Sequence, residues 1–279
     1  MIKLSKDQIK KLLSVYTGQT PLELQFALEL QYAYNDENPF GKPHCAPVYA
    51  DDAENPNIMY IGTGWVWFLG NTAYDKSDID FRDSLLSQFD CIDGDDKRIF
   101  LQICSSGWET KIARLFEGYI KDKIVRHNYR LNKESFNNHT EWQKRIPAGF
   151  EMIYYDANSG EFLDKHNKDR EFWRPESKRF GFVLIKSNEI ISDCISVYYE
   201  KMAYDSKAAR VVEIGIETKA EYRRRGLAFL TCSAFIEHCL LHDFEPNWGC
   251  WNYKPESQAL AKKLGFEEIC RRDVMVLAK

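Results

Sequence analysis

The fold is decided by one stretch, Glu213-Ile214-Gly215-Ile216-Glu217-Thr218-Lys219-Ala220-Glu221-Tyr222-Arg223-Arg224-Arg225-Gly226-Leu227-Ala228. Ile214 and Ile216 alternate with charged or small residues, which predicts a strand with one buried face. A basic turn holding one glycine follows. Residues 227–242 then contain no Gly or Pro and are apolar nearly all round, which indicates a helix buried against a sheet. Backbone amides at a glycine-containing turn that opens a helix bind phosphate groups, so the stretch predicts a phosphate site.

The residues on either side of this stretch extend the pattern. Residues 247–252 are rich in aromatic and small side chains and predict a strand. Pro255 suits the first turn of a helix, Gly265 suits its end, and residues 269–277 predict a last strand. Upstream, residues 181–185 and 190–199 predict a hairpin.

Two motifs give this region a family resemblance. Arg223-x-x-Gly226-x-Ala228 matches the (Q/R)-x-x-G-x-(G/A) signature, and the helix from Pro255 ends in Lys-Leu-Gly-Phe. From about Pro147 to Lys279 the chain resembles the GCN5-related N-acetyltransferase (GNAT) superfamily. Several phrases, such as Glu-Tyr-Arg-Arg-Arg-Gly-Leu-Ala, look like the bacterial branch of zwittermicin-resistance-type acetyltransferases. The resemblance implies an α/β (α+β) fold with a mixed, mostly antiparallel sheet flanked by helices.

The remaining residues predict an additional N-terminal unit. Residues 1–35 look largely helical, residues 58–69 predict strands interrupted by Gly62 and Gly64, and residues 98–104 predict another strand. Ser106 and Glu109 have the spacing of a capping box at the start of a helix. Since the sequence turns polar near residues 132–147, we expect an α/β domain of unknown role over residues 1–135. The acetyltransferase domain is expected over residues 147–279. The sequence shows no internal repeat.

The resemblance implies acetyl-CoA as co-substrate and assigns residues to it. The pyrophosphate is expected on the amides of the turn, and pantetheine is expected to pair with the end of the Glu213 strand as an added strand does. The cofactor-binding residues implied in this way are Ile216, Thr218, Arg223, Arg224, Arg225, Gly226, Leu227, Ala228 and Ser257.

The reaction implied is direct attack of an amine on the thioester, and it needs a proton acceptor. Glu213 and Glu217 lie on one strand face close to the expected thioester, and Glu213 is the preferred base. The alternative is that either glutamate pairs with a neighbouring arginine. Many relatives carry a tyrosine as leaving-group acid where this chain has Ala261. Tyr253, Ser257 and Cys250 lie nearby in sequence as substitutes. The alternative is a reaction by proximity and orientation without a dedicated acid, because CoA thiolate is a good leaving group. Lys254 stands where an asparagine often appears.

Three functions fit these residues. The first is an N-acetyltransferase acting on a primary amine of a small molecule, such as an antibiotic or amino-acid-like metabolite. The second is an N-acyltransferase using a longer acyl donor, and the third is a non-catalytic CoA-binding regulatory module. Acceptor loops vary freely on one fold, so the sequence does not identify the acceptor.

Composition limits the other partners. The net charge of -4 over 279 residues argues against a nucleic-acid binder, because phosphate contacts need a basic surface. No apolar run reaches the length of a membrane span and no signal-peptide core is present, so we expect a cytoplasmic monomer or homodimer. The eight cysteines include no C-x-x-C pair, and His238 and His242 lack a third ligand, so no metal is expected.

Eight aspartates make residues 75–96 acidic. This segment is either a solvated surface or a face that attracts a cationic substrate.

Overall fold

A computed structural model describes residues 1–16, 20–35, 46–73, 75–92, 94, 97–137, 141–168, 179–201 and 210–279. The described residues form a twelve-stranded sheet. The strands are β1 (Ile2–Lys3), β2 (Val48–Ala50), β3 (Ile58–Ile61), β4 (Trp65–Gly70), β5 (Arg98–Ile103), β6 (Ile120–Leu131), β7 (Phe150–Asp156), β8 (Phe180–Lys186), β9 (Glu189–Lys201), β10 (Arg210–Thr218), β11 (Phe244–Trp251) and β12 (Phe266–Ala278).

Eight α-helices lie among the described residues. They are α1 (Lys6–Leu13), α2 (Pro21–Asn35), α3 (Asp78–Ser87), α4 (Glu109–Leu115), α5 (Lys133–Asn137), α6 (Gly160–Lys165), α7 (Leu227–Leu241) and α8 (Pro255–Lys263). No helix in this part of the chain is both long and apolar enough to cross a membrane.

The order of strands across the sheet is β1-β2-β3-β4-β5-β12-β6-β11-β10-β9-β8-β7. We call β1–β6 with their helices the first half of the chain and β7–β12 with theirs the second half. Counted inward from the two ends of the sheet, each strand of the first half has the same position as the strand numbered six higher. The corresponding pairs β4–β5 and β10–β11 are parallel, and all other neighbours are antiparallel. Helices follow the same rule: α3 and α7 come after β4 and β10, and α4 and α8 after β5 and β11. The fold is therefore built from two similar halves that the sequence alone does not reveal.

The two halves exchange one strand each. β6 lies between β11 and β12, and β12 lies between β5 and β6. The sheet is therefore continuous across the predicted boundary near residues 132–147. The division into domains 1–135 and 147–279 stays a prediction about the chain.

After β7 and α6, the second half has the element order that the sequence predicts, with β8, β9, β10, the basic turn, α7, β11, α8 and β12 in succession. Ten of the fifteen residues of α7 are buried, and they pack on one face of the sheet against Val212, Ile214, Trp248 and Cys250. Because side chains alternate along a strand, Glu213, Gly215, Gly249 and Trp251 face the opposite side.

In the first half, the predicted turn at Gly62 and Gly64 is confirmed: both have positive φ, between β3 and β4. The capping box at Ser106 and Glu109 is wrong. α4 begins at Glu109 with Trp108 as its N-cap and no side-chain cap, so Ser106 lies two residues before the cap position, on the other side of the left-handed Gly107 (φ 81°).

The acidic stretch is largely paired where the structure describes it. Lys111 binds both Asp75 and Asp78, Arg82 binds Asp83, and Lys279 binds Asp90. Asp93, Asp95 and Asp96 lie outside the described residues, as does Cys45. The other seven cysteines are free thiols.

Candidate active site

The parallel strands β10 and β11 separate part of the way along their length. They pair from Arg210–Phe244 to Glu213–Asn247, and a register shift in the β9–β10 ladder falls directly after Glu213. β10 then continues to Thr218 and β11 to Trp251, each paired only on its outer side within the described residues. The backbone edges that face this opening are available to an extended ligand chain, which can pair with them as an added strand.

The basic turn closes one end of the opening and begins α7. Arg224 and Gly226 have left-handed backbone, with φ of 60° and 79°. Gly226 is the N-cap of α7, and no side chain caps the helix. A Cβ on Gly226 would meet nothing within 4 Å, so the space in front of the first helical turn is open. Uncapped amides and the positive helix end together form a site for a phosphate group.

The three arginines lie exposed around this turn. Arg223 Nε donates to the Thr218 carbonyl at 2.9 Å, and Arg225 Nη2 donates to the Glu221 carbonyl at 2.9 Å. The Arg225 guanidinium also lies over the Tyr222 ring, 5.2 Å from its centroid. These contacts hold positive charge beside the helix end, where it favours an anion.

The other predicted cofactor-binding residues differ in which of their atoms are available to a ligand. Ile216 pairs with Cys194 of β9 on the outer side of β10, and the Thr218 hydroxyl lies 2.9 Å from the Ser192 hydroxyl. Leu227 is buried and Ala228 half-buried in the first turn of α7, so their backbone is what faces a ligand. Ser257 accepts a hydrogen bond from Trp248 Nε1 at 3.2 Å, which engages its side chain within the protein.

Glu213 forms an ion pair with Arg126 of β6, and both side chains are largely buried. Arg126 lies flat against Gly249: a Cβ there would come within 2.6 Å of Nη2 and 3.0 Å of Cζ. The Arg126 guanidinium also lies 4.8 Å from the centroid of a Trp251 ring. The alternative that a glutamate pairs with an arginine therefore describes Glu213, but its partner comes from the first half of the chain.

Sequence reasoning missed Arg126 because it is 87 residues from Glu213 and belongs to no motif. It reaches the site because β6 pairs with β11 at Arg126–Trp251. The glycine at position 249, alternating with buried Trp248 and Cys250, is the sequence feature that accompanies this contact.

A second arginine lies next to Arg126. Arg272 of β12 pairs with Arg126 in the ladder and is almost fully buried. Its Nη2 donates to Gln102 Oε1 at 2.9 Å, while Nε and Nη1 have no hydrogen-bond partner. Burial lowers the pKa of Arg272.

Glu217 is exposed at the end of β10, opposite Asp193 of β9. Asp193 accepts a hydrogen bond from the Tyr155 hydroxyl at 2.6 Å and forms an ion pair with Lys168. Burial and the adjacent Asp193 carboxylate raise the pKa of Tyr155, which keeps its hydroxyl protonated. Glu217 is thus the more solvated of the two glutamates on this strand face.

Tyr253 lies beyond the end of β11, 56% exposed, with its ring stacked on Trp251 at a centroid distance of 6.3 Å. Ala261, the residue at the position of the missing tyrosine, lies in α8 and is fully buried in the core. The rings of His238 and His242 contact each other at a centroid distance of 4.3 Å, tilted by 39°. Within the described ranges no cluster of three His, Cys, Asp or Glu side chains could hold a metal ion.

Comparisons with known proteins find similar sequences and similar folds. Residues 43–274 match the family described as GNAT acetyltransferase. A curated relative, the uncharacterized N-acetyltransferase YdfB of Bacillus subtilis, is 27% identical over 229 residues, covering 80% of this chain and 82% of its own.

Solved structures share the fold over nearly the whole length. A GCN5-related N-acetyltransferase-like protein from Streptococcus suis superposes with a TM-score of 0.62 at 17% identity, covering 98% of this chain and 99% of its own. A tandem GNAT protein from the clavulanic acid biosynthesis pathway gives a TM-score of 0.62 at 10% identity, with coverages of 99% and 97%. The similarity to a tandem protein agrees with the two similar halves of the sheet.

Proposed function

Because the chain belongs to the GNAT acetyltransferase family and is an acyltransferase, we propose that it transfers an acetyl group from acetyl-CoA to a primary amine of a small molecule. The observation that carries the proposal is the opening between β10 and β11 with the uncapped, arginine-rich start of α7 at its end. An antibiotic or amino-acid-like amine is the proposed acceptor class. The zwittermicin-resistance branch, the cytoplasmic location and the monomeric or homodimeric state stay predictions.

The residues present fit acetyl-CoA in two places. The amides of Gly226, Leu227 and Ala228, with Arg223 to Arg225 around them, would hold the pyrophosphate. The free edge of β10 from Ile214 to Thr218 would pair with the amide groups of pantetheine. Together these contacts direct the thioester toward Glu213, where the strands begin to separate.

Acetyl-CoA supplies the thioester whose C–S bond breaks as the C–N bond of the amide forms. Glu213 accepts the proton that the ammonium group of the acceptor must lose before its nitrogen can attack. Arg126 fixes the Glu213 carboxylate in position through their ion pair. Tyr253, at the mouth of the opening, is the proposed proton donor to the departing sulfur. Glu217, exposed further along the same strand face, is the alternative acceptor of that proton.

The proposal is tested by calorimetric titration with acetyl-CoA, CoA and butyryl-CoA. Gly226→Asp places a carboxylate in the anion site and should weaken acetyl-CoA binding by at least about tenfold, or 1.4 kcal/mol. Gly118→Asp is the matched control, because Gly118 also has positive φ (84°) and open space at its Cβ. Arg225→Glu should weaken binding in the same direction.

Thiol release with a panel of small amines then separates the alternatives. Release that depends on acetyl-CoA supports the proposal, and a clear preference for butyryl-CoA would favour the longer acyl donor. Binding of acetyl-CoA with no release for any amine would favour the regulatory module. If none of the three ligands binds, the proposed function is wrong.

A further inference from the structure

The first half of the chain carries the same elements as the active-site half, but its parallel strands stay closed. β4 and β5 pair from Trp65–Phe100 to Phe68–Ile103. The Cys104 amide then donates to the Phe68 carbonyl at 2.8 Å, and the Gly70 amide donates to the Ser105 hydroxyl at 2.7 Å. Hydrogen bonds therefore join the two strands up to their last residues, which leaves no opening like the one between β10 and β11.

The turn that corresponds to the arginine-rich turn has the opposite charge. α3 begins with Asp78 and Asp80, and Asp75 precedes it. Lys111 joins Asp75 at 2.7 Å and Asp78 at 2.9 Å. Since carboxylates occupy the helix start, a pyrophosphate is repelled there. This half therefore offers a CoA-type ligand neither an open strand edge nor an arginine-rich turn.

A cavity nonetheless lies at the equivalent place, beyond the ends of β4 and β5 and beneath α1 and α2. Its volume is about 430 Å³, within the range of small-molecule sites. Phe26 and Leu69 form part of the apolar wall of the cavity. The polar side chains that the ligand would meet include Tyr16, Asn57, Asn71, Ser105 and Ser106.

The cavity has a negative character. Among its described lining residues Glu23 carries the sole charge. A capping box at the start of α2 fixes Glu23: its amide donates to Thr20 Oγ1 at 3.2 Å, and its Oε2 accepts the Thr20 amide at 3.4 Å. Behind the wall, Asp51 accepts the amides of Asn57 and Ile58 at 2.8 and 3.0 Å.

The hydroxyl of Tyr16 completes this wall. It donates to the Pro56 carbonyl at 3.2 Å. Burial, with the nearby Asp51 carboxylate, raises the pKa of Tyr16 and keeps the hydroxyl neutral. The cavity thus combines one fixed carboxylate with neutral amides and hydroxyls, which suits a ligand that carries positive charge and several hydrogen-bonding groups.

We propose that this cavity is a second ligand site, which binds a small organic cation such as a protonated amine of metabolite size. Glu23 pairs with the cationic nitrogen, and Asn57, Asn71, Ser105 and Ser106 hydrogen-bond the rest of the ligand. The site is separate from the proposed acetyl-CoA site and does not depend on it.

The test uses 1,4-diaminobutane as the cationic probe and 1,4-butanediol as its uncharged counterpart of the same length. Both are titrated calorimetrically into the full chain, with and without saturating CoA. Wild type should bind the diamine saturably and more tightly than the diol by about tenfold, or 1.4 kcal/mol. Glu23→Gln keeps the capping oxygen but removes the charge, and it should abolish that preference. Glu54→Gln, an exposed carboxylate in the adjacent loop, is the matched control.

A blocking variant locates the binding. Ser106 is exposed at the cavity wall, so Ser106→Phe should fill the cavity without disturbing the fold, which the unchanged thermal transition would verify. Diamine binding lost in Ser106→Phe while acetyl-CoA affinity is unchanged supports the second site. No saturable diamine binding to wild type, or equal binding by wild type and Ser106→Phe, overturns it. Acetyl-CoA affinity itself reports separately on the proposed function.

Discussion

Arg126 and Glu213 form an ion pair between the two halves of the molecule, at the point where β10 and β11 separate. The arginine comes from β6, a strand of the first half in sequence, and the glutamate from β10. The position of the proposed base therefore depends on the exchange of strands and not on the acetyltransferase motifs alone.

Replacing Glu213 tests its role as the proton acceptor. Glu213→Gln keeps the shape and a hydrogen bond to Arg126 but cannot accept the proton, so kcat at neutral pH should fall by about 10²-fold or more. The measurement is steady-state thiol release with saturating acetyl-CoA. Glu217→Gln, on the same strand face but exposed, is the comparison and should reduce kcat far less. Normal activity of Glu213→Gln would remove the assignment.

Gly249 is expected to control the position of Arg126. A methyl group in Gly249→Ala would come within 2.6 Å of Arg126 Nη2, and the flexible guanidinium would move away from Glu213. We expect a loss of kcat with little change in thermal stability, because the displaced atoms are at the end of a long side chain. In the Arg126→Met background the same substitution should have no further effect on kcat. An equal loss in both backgrounds would mean that Gly249 acts in another way.

Arg272 should limit stability. It is buried with Nε and Nη1 unpartnered, beside a second arginine. Arg272→Met should therefore raise the free energy of unfolding by about 1–4 kcal/mol, reduced by the lost bond to Gln102. Urea unfolding measures the change. Arg271→Met, its exposed neighbour paired with Glu268, should change stability by no more than about 1 kcal/mol. A large loss of stability in Arg272→Met would contradict the argument.

Stability should fall in mild acid because of His238. Burial and then the neighbouring His242 lower the pKa of His238 to about 4. In the unfolded chain histidine binds a proton near pH 6.5. The unfolded state thus binds more protons between about pH 6.5 and pH 4, so the free energy of unfolding is constant above this range and decreases as pH falls through it. Denaturant titrations across the range should show a smaller decrease for His238→Gln. Parallel curves for the two proteins would be inconsistent with a neutral, half-buried His238.

The sequence predicts the structure correctly where that structure depends on residues close together along the chain. The strand at Ile214, the left-handed Gly226 and the apolar helix that follows are determined by neighbours along the chain, and Pro255 and Gly265 bound α8 for the same reason. The helix start predicted at Ser106 is wrong, because the left-handed backbone of Gly107 (φ 81°) separates Ser106 from α4, which begins at Glu109.

Long-range pairing accounts for what the sequence does not reveal. Arg126 meets Glu213 through two strand neighbours that no local pattern specifies. The sequence also does not reveal the similarity of the two halves, because the halves share the order of their strands and not their residues. For example, carboxylates begin α3, whereas arginines precede α7. The cavity near Glu23 likewise forms between segments that are far apart in sequence.

The exchange of β6 and β12 has a consequence for synthesis of the protein on the ribosome. β5 and β6 cannot become neighbours of a completed sheet until β12, the twelfth strand to be translated, inserts between them. The first half therefore leaves the exit tunnel with bare strand edges and must wait, exposed to association with other nascent chains, for the second half to arrive. Completion of the sheet therefore waits for β12, and the yield of folded protein in the cell should depend on chaperones that shield those edges.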